Sequence, residues 1–101
     1  MPDFELFLKL LKEQKFYEAH EALEVYWFPR RFEENNEVKL IKGFINAAVS
    51  FELFKKGKVD QSKKVWLNYL KYRQLLYKTN SPFYKQLHHC TREIDCLRVY
   101  M

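Results

Sequence analysis

The stretch NEVKLIKGFINAAVSFELFKK, residues 36 to 56, limits the possible folds more than any other part of the chain. At 100° per residue its Val38, Leu40, Ile41, Phe44, Ile45, Ala48, Val49, Phe51 and Phe54 cover most of a helix surface. A helix that is apolar on nearly all sides must be wrapped by others, so it belongs at the centre. Asn35 and Asn36 before Glu37 read as its cap and first turn. Lys55, Lys56 and Gly57 close it, with cations at the carboxyl end and glycine just beyond.

The remaining segments supply the wrapping. Asp3 caps a first helix with Phe4, Phe7, Leu8 and Leu11 at helical spacing, ending near Lys12 to Lys15. A second helix runs from Phe16 to Phe28, where Pro29 discourages continuation. Asp60 is the expected cap of a fourth helix reaching about Tyr77. Ser81 and Pro82 suit the cap and first position of a fifth, with Phe83, Leu87, Cys90, Ile94 and Leu97 along one stripe. Only two glycines and three prolines interrupt the 101 residues, which favours helices over a turn-rich β fold. The expectation is an all-α fold, a five-helix antiparallel bundle made of two helical hairpins plus a closing C-terminal helix, forming one domain over residues 1 to 101. KFYEA (15 to 19) and KVDQS (58 to 62) echo one another at the two hairpin joints, each with a small residue four positions after a lysine. Such joints are of the tetratricopeptide type.

Charge is unevenly spread. Residues 1 to 28 hold three lysines against six carboxylates, whereas residues 29 to 78 hold twelve Lys or Arg against five acids. A basic middle steers acidic partners but also serves plain solubility. Lys64, Lys71 and Lys78 repeat every seven residues among Trp66, Tyr69, Tyr72 and Tyr77, a composition that suits single-stranded nucleic acid. The helical wheel puts most of these aromatics opposite the lysines, so a core and a solvated face explain them better, and nucleic acid is disfavoured. No apolar run approaches the ~20 residues of a membrane span. The start, MPDFELFLKLLKEQ, has acids in its apolar stretch and no small-residue cleavage site, so no signal peptide is expected. Cys90 and Cys96 on one helix would sit ~9 Å apart, beyond disulfide reach. Reduced thiols point to a cytoplasmic protein.

The most reactive pattern is FYEAHEALEVYW, residues 16 to 27. Phe16, Ala19, Ala22, Leu23, Tyr26 and Trp27 share one broad face. His20 lies at its border, with Glu24 one turn on, in position for a hydrogen bond. Glu21 and Glu18 point progressively outward. A carboxylate beside an imidazole suits acid–base work or metal ligation. HEALE resembles a metalloprotease HExxH in which glutamate replaces the second histidine, and that replacement removes the core of a zinc site. The plain alternative is a polar contact that fixes helix packing. Helix three is the expected opposite wall: Lys42, Asn46 and Ser50 follow at four-residue spacing beside Gly43 and Ala47. Asn46 in so apolar a helix needs a partner, and His20 or Glu24 is expected to be it. Lys42 is placed to neutralise Glu21 or Glu24, or to lay its stem on Trp27.

EAHEALEVYW followed by KGFINAAVSFELFKKGK resembles the bacterial and archaeal family called "domain of unknown function 309". Its pattern joins an AHE-x-x-E-x-x-W helix to a G-(L/F)-I-x-x-A-A helix ending in a basic–Gly pair, here over residues 16 to 62. The resemblance implies an all-helical fold and matching positions at His20, Glu21, Glu24, Trp27, Gly43 and Asn46; it implies no reaction. Lys42 and Asn46 stand where glutamine-like residues are expected.

His89, Glu93 and Cys96 also share a helix face, but three donors on one straight helix rarely converge on an ion. No phosphate loop, nucleophile elbow or Cys-x-x-Cys pair occurs. The expected function is therefore a binding module for a partner protein or small ligand, using a groove lined by His20, Glu21, Glu24, Trp27, Lys42 and Asn46. The alternatives are an enzyme, hydrolytic in type, with His20 and Glu24 as acid–base pair, or a metal-binding helical domain. No metal or cofactor is assigned.

Overall fold

The structure, a computed structural model, describes residues 1–101. It contains five α-helices: α1 Phe4–Lys12, α2 Phe16–Trp27, α3 Asn36–Lys55, α4 Val59–Arg73 and α5 Tyr84–Val99. Short 3-10 turns follow α2 at Phe28–Arg30 and α4 at Gln74–Lys78. There are no strands, as the sequence requires of an all-α bundle. No helix is long and apolar enough to cross a membrane.

α3 takes the central place that its composition demands. Ten of its residues are buried, and it packs against α2 on one side and α4 on another. Phe44 stacks against Phe7 of α1, and Phe51 meets both Phe16 of α2 and Trp66 of α4. Leu87, Cys90 and Ile94 of α5 complete one continuous apolar cluster of 18 residues to which all five helices contribute. The stripe expected for the last helix is thus the stripe it buries.

The two hairpin joints are the same turn. At the first, the Lys15 N–H donates to the Leu10 carbonyl and the Gln14 N–H to that of Leu11; at the second, Lys58 donates to Leu53 and Gly57 to Phe54. This paired closure is the Schellman arrangement, which needs one left-handed residue. Gln14 (φ 58°) and Gly57 (φ 79°) fill that position. The next residue then caps the following helix: Lys15 and Lys58 share nearly the same backbone angles, and their carbonyls receive the N–H of Ala19 and Ser62. The echo between KFYEA and KVDQS is the record of this repeated geometry.

Three boundaries differ from expectation; the end of α4 is one, since the helix passes at Arg73 into the 3-10 turn Gln74–Lys78, short of the expected Tyr77. Asp60 is not the cap of α4, because the joint is so short that Lys58 already occupies the cap position; Asp60 sits in the first turn, where its charge favours the helix dipole. The Ser81 hydroxyl does accept a backbone N–H, that of Phe83 at 3.0 Å, but Pro82 and Phe83 form a turn, and regular helix starts at Tyr84. Elsewhere the caps are as read: Asp3 accepts from the Leu6 N–H at 3.1 Å, and Asn35 from that of Glu37 at 2.8 Å.

The small residues of α3 serve its contact with α4. Ser50 Oγ donates to the Ser62 carbonyl and Ser62 Oγ to the Ser50 carbonyl, both at 2.7 Å and buried. Two turns earlier, a Cβ added to Gly43 would lie 2.8 Å from Cβ of Tyr72. That atom is fixed to the α4 backbone, so the helices would have to part. We expect Gly43→Ala to destabilise the protein by about 1–3 kcal/mol through overpacking, outweighing the roughly 1 kcal/mol that alanine gains in helix propensity. Denaturant titration checks it, and a midpoint that stays put or rises would show spare room between α3 and α4.

Candidate functional site

α2 presents the His20 strip because its inner side is already committed. Phe16, Ala19 and Leu23 are buried, which turns residues 17, 20, 21, 24, 25 and 28 outward or to the border. His20 is half-buried there, and its Nε2 pairs with the Glu24 carboxylate one turn on, as the spacing predicts. The Tyr17 ring packs 5.7 Å from the imidazole. Tyr17, His20, Glu21, Glu24, Val25 and Phe28 line a hollow of about 390 Å³. Every lining residue comes from α2 or the turn that follows, so the hollow has one wall and opens to solvent. Glu18 and Glu21 have no cation within 4.0 Å and add unneutralised negative charge along the same face.

The other proposed partners lie elsewhere. Asn46 donates from Nδ2 to the Lys42 carbonyl at 2.8 Å, satisfying itself within its own helix, not through His20 or Glu24. Lys42 forms no ion pair with Glu21 or Glu24; its Nζ sits 5.6 Å from the Trp27 ring and 5.7 Å from that of Tyr72. Lys42 thus lies beside Trp27, as the alternative expects, but it is the ammonium that approaches the ring. Trp27 and Lys42 border a second, smaller hollow of about 230 Å³ with Arg31, Phe32 and Tyr72. The six residues therefore divide between two surfaces, with Asn46 on neither. The physical reason is that the small-residue side of α3, with Gly43 and Ser50, is taken by α4. The expectation that His20 abuts it is corrected accordingly.

Several features near the end of α2 and on the far side lie outside the sequence pattern of the strip. Arg31 lies over Phe28 at 3.8 Å and Phe32 at 4.6 Å, while Arg30 covers Tyr26 at 3.9 Å and donates to its carbonyl. These stacked cations hold the turn after α2 rigidly beside the hollow. The aromatic–arginine alternation YWFPRRF would have flagged them. Tyr26 also donates to Glu37 at 3.3 Å, and burial followed by the Glu37 charge raises its pKa. On the far side, buried Tyr69 donates to Asp95 at 2.9 Å, and Arg73 binds the other carboxylate oxygen at 3.1 Å. Burial first, then Asp95, pushes the Tyr69 phenol strongly up, so it remains a donor throughout the working range. His89 and Glu93 approach to 3.5 Å, yet no group of three or more His, Cys, Asp or Glu residues is positioned to hold a metal ion.

Comparison with known proteins adds one result. A family model described as "Domain of unknown function (DUF309)" matches residues 4–65, which cover α1 to α3 and the first half of α4. The match takes in the first helix, beyond the 16 to 62 span of the motif itself. No curated protein and no solved structure matches the chain.

Two outcomes follow from this geometry. Replacing His20 by Ala together with Glu24 by Gln should lower stability by no more than about 1 kcal/mol, since the pair is partly solvated; a much larger loss in thermal or denaturant unfolding would make the strip a packing element. Burial, then the Glu93 charge, pushes the Cys90 thiol up to about 12, whereas Cys96 is exposed. A thiol reagent at neutral pH should therefore modify only Cys96 in the folded protein and both cysteines after unfolding. Rapid labelling of both in the native state would contradict that burial.

Proposed function

The chain belongs to the DUF309 family, and we propose that it works as a binding module whose outer α2 face docks a partner protein. The observation that carries this reading is the exposure of Tyr17 (54%), Val25 (80%) and Phe28 (52%) along a single helix face. Large apolar groups left in water about two turns and then one turn apart, beside Glu18, Glu21 and Glu24, form a ready contact strip. Its negative charge selects a basic partner surface. A flat, one-walled hollow suits a protein better than a small ligand, which needs most of its surface enclosed.

The alternative of an enzyme with His20 and Glu24 as acid–base pair is less well supported. General acid–base catalysis requires a substrate held in register and shielded from bulk water. One solvated helix face supplies neither an opposing wall nor a second set of donors. A metal site fares no better, with a single imidazole and a single paired carboxylate at hand. Cytoplasmic residence agrees with two free thiols, and reading residues 1–101 as one folding unit agrees with the continuous core.

The test is capture of partners from a native lysate by the tagged protein at low salt. Glu21→Lys and Phe28→Ala, both on exposed positions, should each reduce a specific partner's retention by about tenfold or more, with the circular dichroism spectrum unchanged. Retention by both variants equal to that of the wild type would remove the α2 face from consideration.

A further inference from the structure

The molecule carries a second exposed helix face whose properties mirror those of the first. On α4, Lys63, Lys64, Leu67 and Lys71 are all exposed, and none of the three lysines lies within 4.0 Å of a carboxylate. Leu67, 63% exposed, stands in the middle of this basic row. On α2 the acidic row of Glu18, Glu21 and Glu24 has Val25 at its side, 80% exposed. Each face thus sets a protruding aliphatic side chain among charges of a single sign, of which only Glu24 has a partner, His20, and the signs of the two faces are opposite.

The spacings also agree. Glu21 precedes Val25 by four positions, one helical turn. Lys63 precedes Leu67 by four, and Lys71 follows it by four. If Val25 is set on Leu67, Glu21 meets a lysine whether the two helices run parallel or antiparallel. Phe28, three positions beyond Val25, meets the lysine on the other side of Leu67, where its ring can face the ammonium. α3 lies between α2 and α4, and each of the two faces points away from it. One chain therefore cannot satisfy both faces by itself.

We infer that the partner of the α2 face is a second copy of this chain, docked through its α4 face. This rests on the reading of α2 as a docking surface. The contact is heterologous, because two different patches meet, so each copy retains one free acidic face and one free basic face and can add further copies. The hairpin architecture makes such stacking natural, since helical hairpins joined by equal turns extend by placing one unit's outer helix against the next. A single pair of helices of 12 and 15 residues makes a small interface, so association is weak and depends on charge.

Sedimentation of the full chain provides the test. The wild-type protein should show a weight-average mass that rises with concentration toward ~1 mM at low salt. Raising salt from ~0.05 M to ~0.5 M should weaken association by about tenfold or more. Glu21→Lys blocks the α2 face by setting a cation against the α4 lysines, and Leu67→Asp blocks the α4 face, both at exposed positions that leave the core untouched. Each variant alone should be monomeric. Mixed, they should form a 1:1 dimer that does not grow, because only one matched pair of faces remains. A wild-type protein that stays monomeric throughout, or a Leu67→Asp variant that associates as the wild type does, overturns the inference. Loss of a foreign partner by Glu21→Lys under those same conditions would leave the α2 face a docking surface for something other than its own kind.

Discussion

The near-contact of α3 and α4 backbones governs the rest of the molecule. Gly43 admits the Tyr72 side chain to within a distance no Cβ would allow, and two turns on, Ser50 and Ser62 exchange hydrogen bonds through their hydroxyls and carbonyls. Each serine satisfies its donor while buried, where an unpaired hydroxyl would be destabilising by about 1–3 kcal/mol. Because that side of α3 is occupied by α4, α2 must pack on another side with its own apolar stripe. Its polar edge is left facing water. The location of the candidate site is thus a by-product of where the small residues of a different helix pair were used.

Much of the fold is legible in the sequence because the signals are local. Asp3 and Asn35 cap the helices they precede, and Phe4, Phe7, Leu11, Leu87, Cys90 and Ile94 are buried as their spacing implies. The hairpin echo is legible for the same reason: a lysine in the cap position and a small residue four places on recur wherever this turn feeds a helix. Asp60 misled because a short polar side chain near a helix start is a cap only when its own backbone is non-helical, and the preceding turn determines that. The candidate site was legible in part. The His20–Glu24 pair depends on spacing within one helix, and it formed. The assignment of Asn46 and Lys42 depended on which side of α3 meets α2. The wheel shows which residues share a side, but it does not say which neighbour takes it.

The two surfaces near the end of α2 have different characters. The outer face is acidic with apolar projections; the hollow around Trp27 and Lys42 is smaller and is bounded by arginine–aromatic stacks. Those stacks stiffen the turn Phe28–Arg30 and fix the direction in which Phe28 leaves the helix. A docking strip gains from such rigidity, because side chains already held in place lose less freedom when a partner arrives.

The two joints are alike in form and unequal in strain. Gly57 adopts its left-handed backbone freely, whereas Gln14 holds the same conformation against a Cβ clash of about 1–2 kcal/mol. The Gln14 carbonyl is clasped from outside its hairpin by the Lys55 ammonium at 3.1 Å. The order of local opening follows: α1 is the shortest helix, and the strained turn that ends it is held from outside by one exposed contact. This helix should exchange its amide protons first, while α3 and α4, locked by two serines and closed by glycine, keep theirs until the whole molecule unfolds.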